Sequence, residues 1–357
     1  MALPFLNGAT RPKDHLLSID LGGRTTKAVQ LQRKGGRYVM SRFAVLDAPA
    51  NDHSPSADLL EQHLKAICQS FDTKAHSVSL AVGVQDAIVR HTEMPLMPVA
   101  ALRHVLKNNS KNYLQQDLPG HVFDCWLMAG RAAAPAAEKS KVGNSTPKAR
   151  VLVSGARKQL VEDMQKAVKA VGLTADHIVP GLIGPVNAFE LAMPEVFARD
   201  VVALVDIGFK NTTICLLQEG ELILSRVVAI GGDKITAGLA ETLGISYVEA
   251  EGIKVGMPME VQSNLEALVI PLGRELRASI DFFEHQQDKA VSQVYLSGAS
   301  ARSELIVQIL QAELMVECKT WNPLAFVELA LPPEQAAEID QVGPQLAVAV
   351  GAAVAAF

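Results

Sequence analysis

Residues 15–31, HLLSIDLGGRTTKAVQL, and residues 201–217, VVALVDIGFKNTTICLL, follow the same pattern. In each stretch an apolar run leads into Asp-x-Gly, a polar turn and a second run rich in apolar and β-branched residues, which predicts two strands joined by a turn. A glycine-containing turn follows at 35–36 and again at 219–220, with a third predicted strand after each. The repeat therefore predicts a duplicated fold in which each half opens with a β-meander.

Composition indicates a folded protein whose main partner is not nucleic acid. The chain has 357 residues, 49% of them apolar and 20% charged, with a formal net charge of -5. This length fits two domains or one split domain, and the apolar fraction is enough for a core. The net negative charge and the absence of long Lys/Arg runs argue against phosphate-backbone binding.

The cysteines and the two chain ends exclude several other classes. The cysteines are widely spaced and show no C-x-x-C pair, which argues against a disulfide framework and a zinc site. We expect no signal peptide in residues 1–14, since they lack a long apolar core. The apolar stretch 346–357 is too short to cross a bilayer as a helix, and its small residues predict a helix packed closely against other backbone.

The first Asp-x-Gly turn carries the residue types that phosphate binding needs. Gly22 lets the backbone approach an oxyanion, and the hydroxyls of Thr25 and Thr26 can donate to phosphate oxygens. Lys27 would place a positive charge on a phosphate, and Asp20 would hold Mg²⁺ through water. An ordinary hairpin would also explain the pattern, because Asp and Gly are frequent turn residues.

A second copy of the turn favours the phosphate-binding interpretation. Asp206-x-Gly208 with Thr212 and Thr213 would form a matching hairpin in the other half. Two such hairpins facing each other across a cleft would form one nucleotide site. This hypothesis would fail if Thr26 and Thr213 both pointed away from a shared cleft.

Together the two stretches resemble the phosphate loops of the actin, sugar-kinase and heat-shock-chaperone ATPase superfamily. Three further segments are similar to its FtsA/PilM branch: IGGDKIT at 230–236, SYVEAEGIK at 246–254, and EMPLMP at 93–98, which resembles the start of the PilM insert. The chain is identified as resembling a PilM-type actin-like ATPase over nearly its whole length.

The resemblance implies an actin-like, ribonuclease H-like α/β fold with two halves around a nucleotide cleft. The first half would carry an inserted subdomain, and the C-terminal helix would return to that half. The expected boundaries are 1–86, 177–200 and 340–357 for the first half, 87–176 for the insert with a solvated, mobile loop at 131–150, and 201–339 for the second half.

The resemblance also implies the ligands, which are ATP and Mg²⁺. The metal would be held by Asp20 and Asp206 through water. The implied nucleotide-binding residues are Gly22, Gly23, Arg24, Thr25, Thr26, Lys27, Gly208, Asn211, Thr212, Thr213, Gly232, Glu251, Lys254, Gly298, Ala299 and Ser300.

Some of these residues have plausible structural roles as well. By resemblance Glu251 and Lys254 would meet the ribose and adenine, but at this spacing they could equally form an exposed helical ion pair. Glu249 with Ser246 fits a capping box, which is a sufficient reason for its presence.

No catalytic residue can be assigned from the sequence. Hydrolysing members of the superfamily orient the attacking water with an acid or amide in the segment that returns to the first half. The corresponding stretch, 178–188, has no carboxylate, and Asn187 fits a helix start. We therefore expect ATP binding with slow hydrolysis, so that the protein is at most a weak ATPase.

The PilM resemblance further implies an adaptor role in a type IV pilus or related secretion assembly. Its partner would be the cytoplasmic tail of a bitopic, PilN-like inner-membrane protein, docked between the insert and the first half. The chain would then be cytoplasmic and peripheral at the inner membrane through that partner. A small-molecule kinase and an FtsA-like filament-forming ATPase are the alternatives.

Overall fold

The computed structural model describes residues 14–49, 56–71, 75–128 and 147–357. The strands within these ranges are β1 (His15–Asp20), β2 (Thr25–Lys34), β3 (Arg37–Asp47), β4 (Ser77–Val82), β5 (Ala87–Pro95), β6 (His121–Leu127), β7 (Lys148–Arg157), β8 (Thr174–Pro180), β9 (Val201–Ile207), β10 (Thr212–Gln218), β11 (Glu221–Val228), β12 (Gln293–Ser297), β13 (Cys318–Thr320) and β14 (Val327–Leu329). The helices are α1 (Ala57–Ser70), α2 (Val99–Leu114), α3 (Lys158–Ala170), α4 (Gly184–Ala192), α5 (Pro194–Arg199), α6 (Gly232–Leu243), α7 (Tyr247–Gly256), α8 (Gln262–Gln287), α9 (Glu304–Leu314), α10 (Pro333–Val342) and α11 (Ala347–Val354).

A six-stranded mixed sheet forms the first half, in the order β14–β3–β2–β1–β4–β8. β1, β2 and β3 are an antiparallel meander, whereas β4 lies parallel to β1 and β8 parallel to β4. β1 buries every residue after His15, as expected for an apolar run at the centre of a sheet with both faces covered. α1 and α3 cover one face, and α4 and α11 cover the other.

A five-stranded sheet in the second half repeats this arrangement, in the order β11–β10–β9–β12–β13. β9, β10 and β11 form an antiparallel meander, and β12 lies parallel to β9 as β4 lies parallel to β1. α6, α8 and α9 cover one face, while α4 and α5 pack on the other. The predicted duplication of an opening meander is therefore present in the fold.

The insert is a separate three-stranded antiparallel sheet in the order β5–β7–β6, with α2 packed against it. Its last strand ends at Arg157, whereas the predicted insert extended to 176. The segment 158–176 instead forms α3 and the start of β8, because the apolar face of α3 packs on α1 and the first sheet. The insert sheet thus begins after β4 and ends before α3.

Two other expected boundaries also differ from the structure. Residues 131–146 of the predicted loop lie outside the described residues, but 148–150 belong to β7 and pair with β5. β14 lies in the expected second half by sequence, yet it pairs with β3 in the first sheet. The side chain of Gln335 adds two hydrogen bonds to the backbone of Phe43, so the chain is already in contact with the first half here.

The C-terminal helix α11 returns to the first half and packs on β1 and β4. Ser18 Oγ donates to the Ala349 carbonyl at 2.7 Å, and Ser79 Oγ donates to the Ala352 carbonyl at 3.0 Å. A Cβ on Gly351 would lie 1.7 Å from the Gly184 carbonyl oxygen, so α11 and α4 touch through backbone. The small residues of 346–357 thus allow the close packing that the sequence predicts.

Candidate functional site

A cleft of about 400 Å³ lies between the two halves, where the Asp-x-Gly turns follow β1 and β9. All the predicted site residues line this cleft except Thr26 and Thr212. Those that line it are Asp20, Gly22, Gly23, Arg24, Thr25, Lys27, Asp206, Gly208, Asn211, Thr213, Gly232, Glu251, Lys254, Gly298, Ala299 and Ser300. Residues scattered over most of the chain are therefore brought to one place.

The two hairpin turns are built in the same way. A Cβ on Gly22 would lie 2.4 Å from the Thr25 carbonyl oxygen, and a Cβ on Gly208 would lie 2.8 Å from the Asn211 carbonyl oxygen. Each contact spans three residues, so glycine is required at the same point of both turns. The result is a pair of backbone cradles that open on the cleft from opposite sides.

Strand register decides which hydroxyls reach the cleft. Asp20 pairs with Lys27 in the β1–β2 ladder, and Asp206 pairs with Thr213 in the β9–β10 ladder. Thr213 is therefore the structural counterpart of Lys27, although the sequence suggested matching the two Thr-Thr pairs. Because successive side chains on a strand point to opposite faces, the residues before Lys27 and Thr213 face away.

Thr26 and Thr212 accordingly have other partners. Thr26 Oγ1 lies 2.7 Å from His63 Nε2 of α1, and Thr212 Oγ1 donates to the Ile230 carbonyl at 2.7 Å. The placement of Thr26 and Thr212 in the cleft was incorrect, since neither side chain lines it. Thr213 does face the cleft, as does Thr25.

The cleft holds two acidic side chains from opposite halves. Asp20 is 8% exposed, and its Oδ2 lies 3.6 Å from Lys27 Nζ. Burial raises the pKa of Asp20, Lys27 opposes this in part, and the charge of Asp206 raises it further. Burial also raises the pKa of Asp206, while the hydrogen bond that Ser297 Oγ donates to it at 2.8 Å lowers that pKa in part. Because a bound cation would relieve this repulsion, the oxygen pair fits a hard divalent ion.

A buried lysine forms the side of the cleft contributed by α7. Lys254 is 2% exposed, and its Nζ donates to Thr236 Oγ1 and to Glu251 Oε2, both at 2.8 Å. Burial lowers the pKa of Lys254, with Glu251 opposing it. Burial acts to raise the pKa of Glu251, but hydrogen bonds from Lys254 and Thr236 outweigh it and the pKa is lowered. This ion pair is fixed at the cleft and is not the solvated pair that the spacing also allowed.

Glycines also bring the backbone close at the far end of the cleft. Gly298 follows β12 with φ of 92°, and a Cβ there would lie 2.3 Å from the Ile207 carbonyl oxygen. A Cβ on Gly232 would lie 2.6 Å from Ser300 Oγ. Glycines at 298 and 232 therefore let the segment 298–300 lie directly against the end of β9 and the start of α6.

Two residues considered in the sequence lie away from the cleft lining. Glu249 accepts hydrogen bonds from the Ser246 backbone N–H at 2.9 Å and from its hydroxyl at 2.7 Å, which completes the capping box of α7. Asn187 is inside α4 and not at its start, and its Nδ2 donates to the Gly351 carbonyl at 3.3 Å. Asn187 thus joins two helices and does not face the cleft.

Sequence reasoning missed several polar residues that also line the cleft: Gln85, Asp86, Lys210, Arg302 and Gln345. Gln85 and Asp86 lie in the turn that follows the parallel strand β4. Since ligands in open α/β sheets bind at the carboxyl ends of strands, that turn could have been proposed from the sequence. Gln345 carried no such signal, because only the return of the chain end to the first half brings it there.

A second cavity, of about 390 Å³, lies behind the first hairpin. It is lined by Leu60 and His63 of α1 and by Leu160 and Met164 of α3. Leu21, Gly22, Gly23, Gly83, Gln85, Asp86 and Lys210 line both this cavity and the cleft. The first hairpin and the turn after β4 therefore form a wall common to both.

Asp86 and Arg157 mark the two ends of the insert at this second cavity. Asp86 immediately precedes β5, and Arg157 is the last residue of β7. Arg157 Nη2 donates to Asp86 Oδ1 at 2.7 Å. This ion pair places the base of the insert beside both cavities.

A duplicated pair of α/β halves, each opening with a meander and together enclosing a cleft with paired Asp-x-Gly turns, defines an actin-like fold. The family model for the type IV pilus assembly protein PilM matches residues 138–357, which is more than half of the chain. The chain belongs to this PilM family. The predictions of an actin-like fold and of PilM-type membership are thereby confirmed.

Solved structures show the same fold at low sequence identity. A PilM–PilN type IV pilus biogenesis complex superposes with a TM-score of 0.78 at 22% identity, covering 97% of this chain and 100% of that chain. MreB 5 of Spiroplasma citri bound to AMPPNP superposes with a TM-score of 0.51 at 10% identity, covering 96% of each chain.

The FtsA branch is also represented among curated relatives. The cell division protein FtsA of Bacillus subtilis (strain 168) is 32% identical over 103 residues, or 29% of this chain. The match spans 22% of that relative's length, about a fifth of it. Across the described ranges, every helix is too short or too polar to cross a membrane.

Proposed function

We propose that the cleft binds ATP with Mg²⁺. The observation that carries this proposal is the pair of equivalent glycine turns, each preceded by an aspartate, on opposite sides of one cleft. The MreB 5 structure, which has the same fold, is bound to AMPPNP, which supports a nucleotide as the ligand. The raised pKa values of Asp20 and Asp206 support a bound cation, since a cation would favour both charged forms.

Each side of the cleft would have a distinct task. Lys27 and the two turns would hold the phosphates, with hydroxyl donors from Thr25 and Thr213. Asp20 and Asp206 would hold Mg²⁺ through water, which supplies charge neutralisation for the phosphates. The ribose and base would lie toward the pair formed by Glu251 and Lys254, with the base on the backbone of 298–300.

We further propose that hydrolysis is slow. Gly181 and Leu182 are the residues of the return segment that line the cleft, and neither can orient water. Asp86 offers a carboxylate from another turn, but Arg157 already binds it. Without a free acid or amide from the return segment, water attack lacks its usual orientation. Single-turnover hydrolysis faster than about one per second would contradict this proposal.

The nucleotide proposal can be tested by thermal shift with ATP and Mg²⁺. Asp20→Ala removes a carboxylate from the cleft, whereas Asp58→Ala removes an exposed one from α1. We expect ATP with Mg²⁺ to raise the Tm of the wild-type protein and of Asp58→Ala, and to have little effect on Asp20→Ala. An unchanged wild-type Tm at millimolar ATP would refute nucleotide binding.

The partner proposed for this protein is the cytoplasmic tail of a PilN-like inner-membrane protein in a type IV pilus or related assembly. Family membership and the PilM–PilN complex support a PilN-like partner. We propose that a short extended segment of the tail enters the second cavity, whose lining combines apolar side chains with His63 and Arg157. The protein would then work as a cytoplasmic adaptor, held at the inner membrane by that tail.

Partner binding can be tested with a synthetic peptide of the PilN-like tail. Arg157→Ala changes a half-exposed side chain in the lining of the second cavity, and Lys166→Ala changes an exposed side chain on α3 outside that lining. We expect calorimetry to show about tenfold weaker peptide binding for Arg157→Ala, which is the loss typical of one charge-assisted contact. Lys166→Ala should bind the peptide with the affinity of the wild-type protein. Equal peptide affinities of the two variants would exclude the second cavity as the peptide-binding site. Sedimentation of the protein in the presence of ATP would instead support a filament-forming ATPase.

A further inference from the structure

The side chain of Arg24 leaves the first hairpin and contacts the second half. Its guanidinium carbon lies 5.6 Å from the centre of the Phe209 ring and 5.3 Å from that of the Tyr247 ring. Both distances are within the range of a cation–π interaction. Arg24 Nη1 also donates to Tyr247 Oη at 3.3 Å and lies 3.8 Å from Glu251 Oε2.

The second-half groups around Arg24 are themselves held in place. Tyr247 Oη donates a hydrogen bond at 2.9 Å to Oδ1 of Asp233, which lies in the first turn of α6. Burial and the bond to Asp233 raise the pKa of Tyr247 to about 12, so its hydroxyl stays protonated. Glu251 is fixed by Thr236 and Lys254. Tyr247 and Glu251, two of the groups that Arg24 contacts, are therefore each held by hydrogen bonds within the second half.

The flanking residues show why this contact concerns the cleft. Gly23 and Thr25, on either side of Arg24, line the cleft from the first half, and Phe209 and Glu251 line it from the second. A contact between Arg24 and the second half therefore spans the opening between the two hairpins. Separating the halves would require breaking it.

We propose that Arg24, through its contacts with Phe209, Tyr247 and Glu251, is a bridge that holds the cleft closed and so sets how fast nucleotide leaves. We call these contacts the Arg24 bridge. The inference rests on the proposed nucleotide site and assigns Arg24 a positioning role there, in place of the nucleotide contact that the resemblance implied. Because nucleotide release requires the halves to part, weakening the bridge speeds release of ATP and ADP alike.

The first test measures release of fluorescent ATP and ADP analogues by stopped flow. We expect Arg24→Ala to increase the release rate about tenfold, because it removes one salt-screened ion pair and cation–π contacts with two rings. The increase is the same for both nucleotides, since the bridge acts on the opening of the halves. Arg24→Lys should release nucleotide at a rate between those of the wild type and Arg24→Ala, because lysine keeps the charge and loses the planar stacking.

A double-mutant cycle separates the bridge from a direct phosphate contact. Tyr247→Ala removes one ring and one hydroxyl but leaves Arg24 its contacts with Phe209 and Glu251. Tyr247→Ala should therefore speed release less than Arg24→Ala, and the double variant should release nucleotide no faster than Arg24→Ala. Tyr247→Phe keeps the ring and has a smaller effect. An effect on ATP but not ADP, or independent effects of the two residues, would overturn the proposal.

The bridge forms between protein groups, so it can also be tested without nucleotide. The decreases in Tm caused by Arg24→Ala and Tyr247→Ala in the ligand-free protein should not add in the double variant. If the wild-type protein binds no nucleotide, the proposed function fails while this coupling still tests the bridge. If nucleotide binds but the Tm changes add, the bridge fails and the proposed function stands.

Discussion

At the scale of single residues, the cleft contains groups that destabilise the ligand-free protein. Burial raises the pKa of both Asp20 and Asp206, and the charge of Asp206 raises the pKa of Asp20 further. A group whose pKa is raised on folding stabilises the folded state below its unfolded pKa and loses that contribution as pH rises through the folded value. We therefore expect both carboxylates, once ionised, to oppose folding of the ligand-free protein, and the proposed Mg²⁺ would offset this cost.

This cost leads to a prediction for Asp206→Asn. An asparagine oxygen can still accept the hydrogen bond from Ser297, while the buried charge is removed. We expect the Tm of the ligand-free variant at pH 7 to rise relative to wild type, and its stabilisation by ATP with Mg²⁺ to disappear. Differential scanning calorimetry with and without ligand tests both parts. A lower ligand-free Tm would show that the carboxylate is not destabilising.

A second prediction at this scale concerns the glycine contact between α4 and α11. In Gly351→Ala the new Cβ would lie 1.7 Å from the Gly184 carbonyl oxygen, so one of the helices must shift. We expect a loss of about 3 kcal/mol or more in the free energy of unfolding, measured in urea.

Gly252→Ala is the matched control for that experiment. Gly252 is exposed in α7, and a Cβ there would meet no atom within 4 Å. Alanine should stabilise this helix by about 0.5–1 kcal/mol, because it has less backbone freedom to lose than glycine. A small effect of Gly351→Ala would mean that α11 does not pack as tightly as the structure indicates.

At the scale of elements, the two hairpins show how strand register assigns chemistry. Equivalent positions of β2 and β10 face the cleft, and they carry a lysine in one half and a threonine in the other. The neighbouring threonines face the opposite side. A pattern match on Thr-Thr therefore selects the wrong residue in one hairpin, since a shift by one position exchanges the two faces of a strand.

The register predicts opposite outcomes for two adjacent substitutions. Thr213→Val removes a hydroxyl from the cleft and should weaken ATP binding about tenfold, the effect of one lost hydrogen bond to a charged group. Thr212→Val should leave ATP affinity unchanged and lower the free energy of unfolding by about 1 kcal/mol, through loss of the bond to Ile230. Isothermal titration calorimetry and urea unfolding measure the two effects. Equal losses of ATP affinity would contradict the assigned faces.

At the scale of the whole molecule, the insert is in contact with both halves. Asp86 and Arg157 join its two ends beside the first hairpin. The Nε2 atom of His91, in β5, lies 2.9 Å from the carbonyl oxygen of Leu222, in β11 of the second half. A change in the angle between the halves would therefore strain the insert as well, which would give the proposed nucleotide and the proposed partner a physical means of influencing each other.

The contact at His91 predicts a pH dependence of stability. Burial lowers the pKa of His91, the Leu222 carbonyl opposes this, and the charge of Arg150 lowers it further. Because the unfolded value is 6.5, the unfolded chain binds more protons below that pH, and stability falls as pH drops toward the folded value. We expect the contribution of His91 to the unfolding free energy to be lower at pH 5.5 than at pH 7.5, opposite in sign to the contributions of Asp20 and Asp206.

The contribution of His91 to this pH dependence can be isolated by substitution. His91→Gln should reduce the difference in unfolding free energy between pH 7.5 and pH 5.5, because it removes a group that must become charged. Some dependence should remain, since burial lowers the pKa of His63 as well. His285→Gln, at an exposed position of α8, serves as the control. An undiminished slope in His91→Gln would argue against this assignment.

The sequence by itself determined the duplicated fold, the family and most of the cleft residues. This was possible because an apolar strand, a glycine turn and a returning strand are local features, and because the pattern occurs twice. Local sequence also fixed the capping box at Ser246 and the close packing of the last helix.

Tertiary structure alone decided which threonines face the cleft, where Asn187 points and what Arg24 contacts. It also decided that α3 and β14 join the first sheet and that the turn after β4 lines two cavities. Each of these depends on residues distant in sequence becoming neighbours. Strand pairing and the docking of one half on the other are non-local, and no pattern within a single segment encodes them.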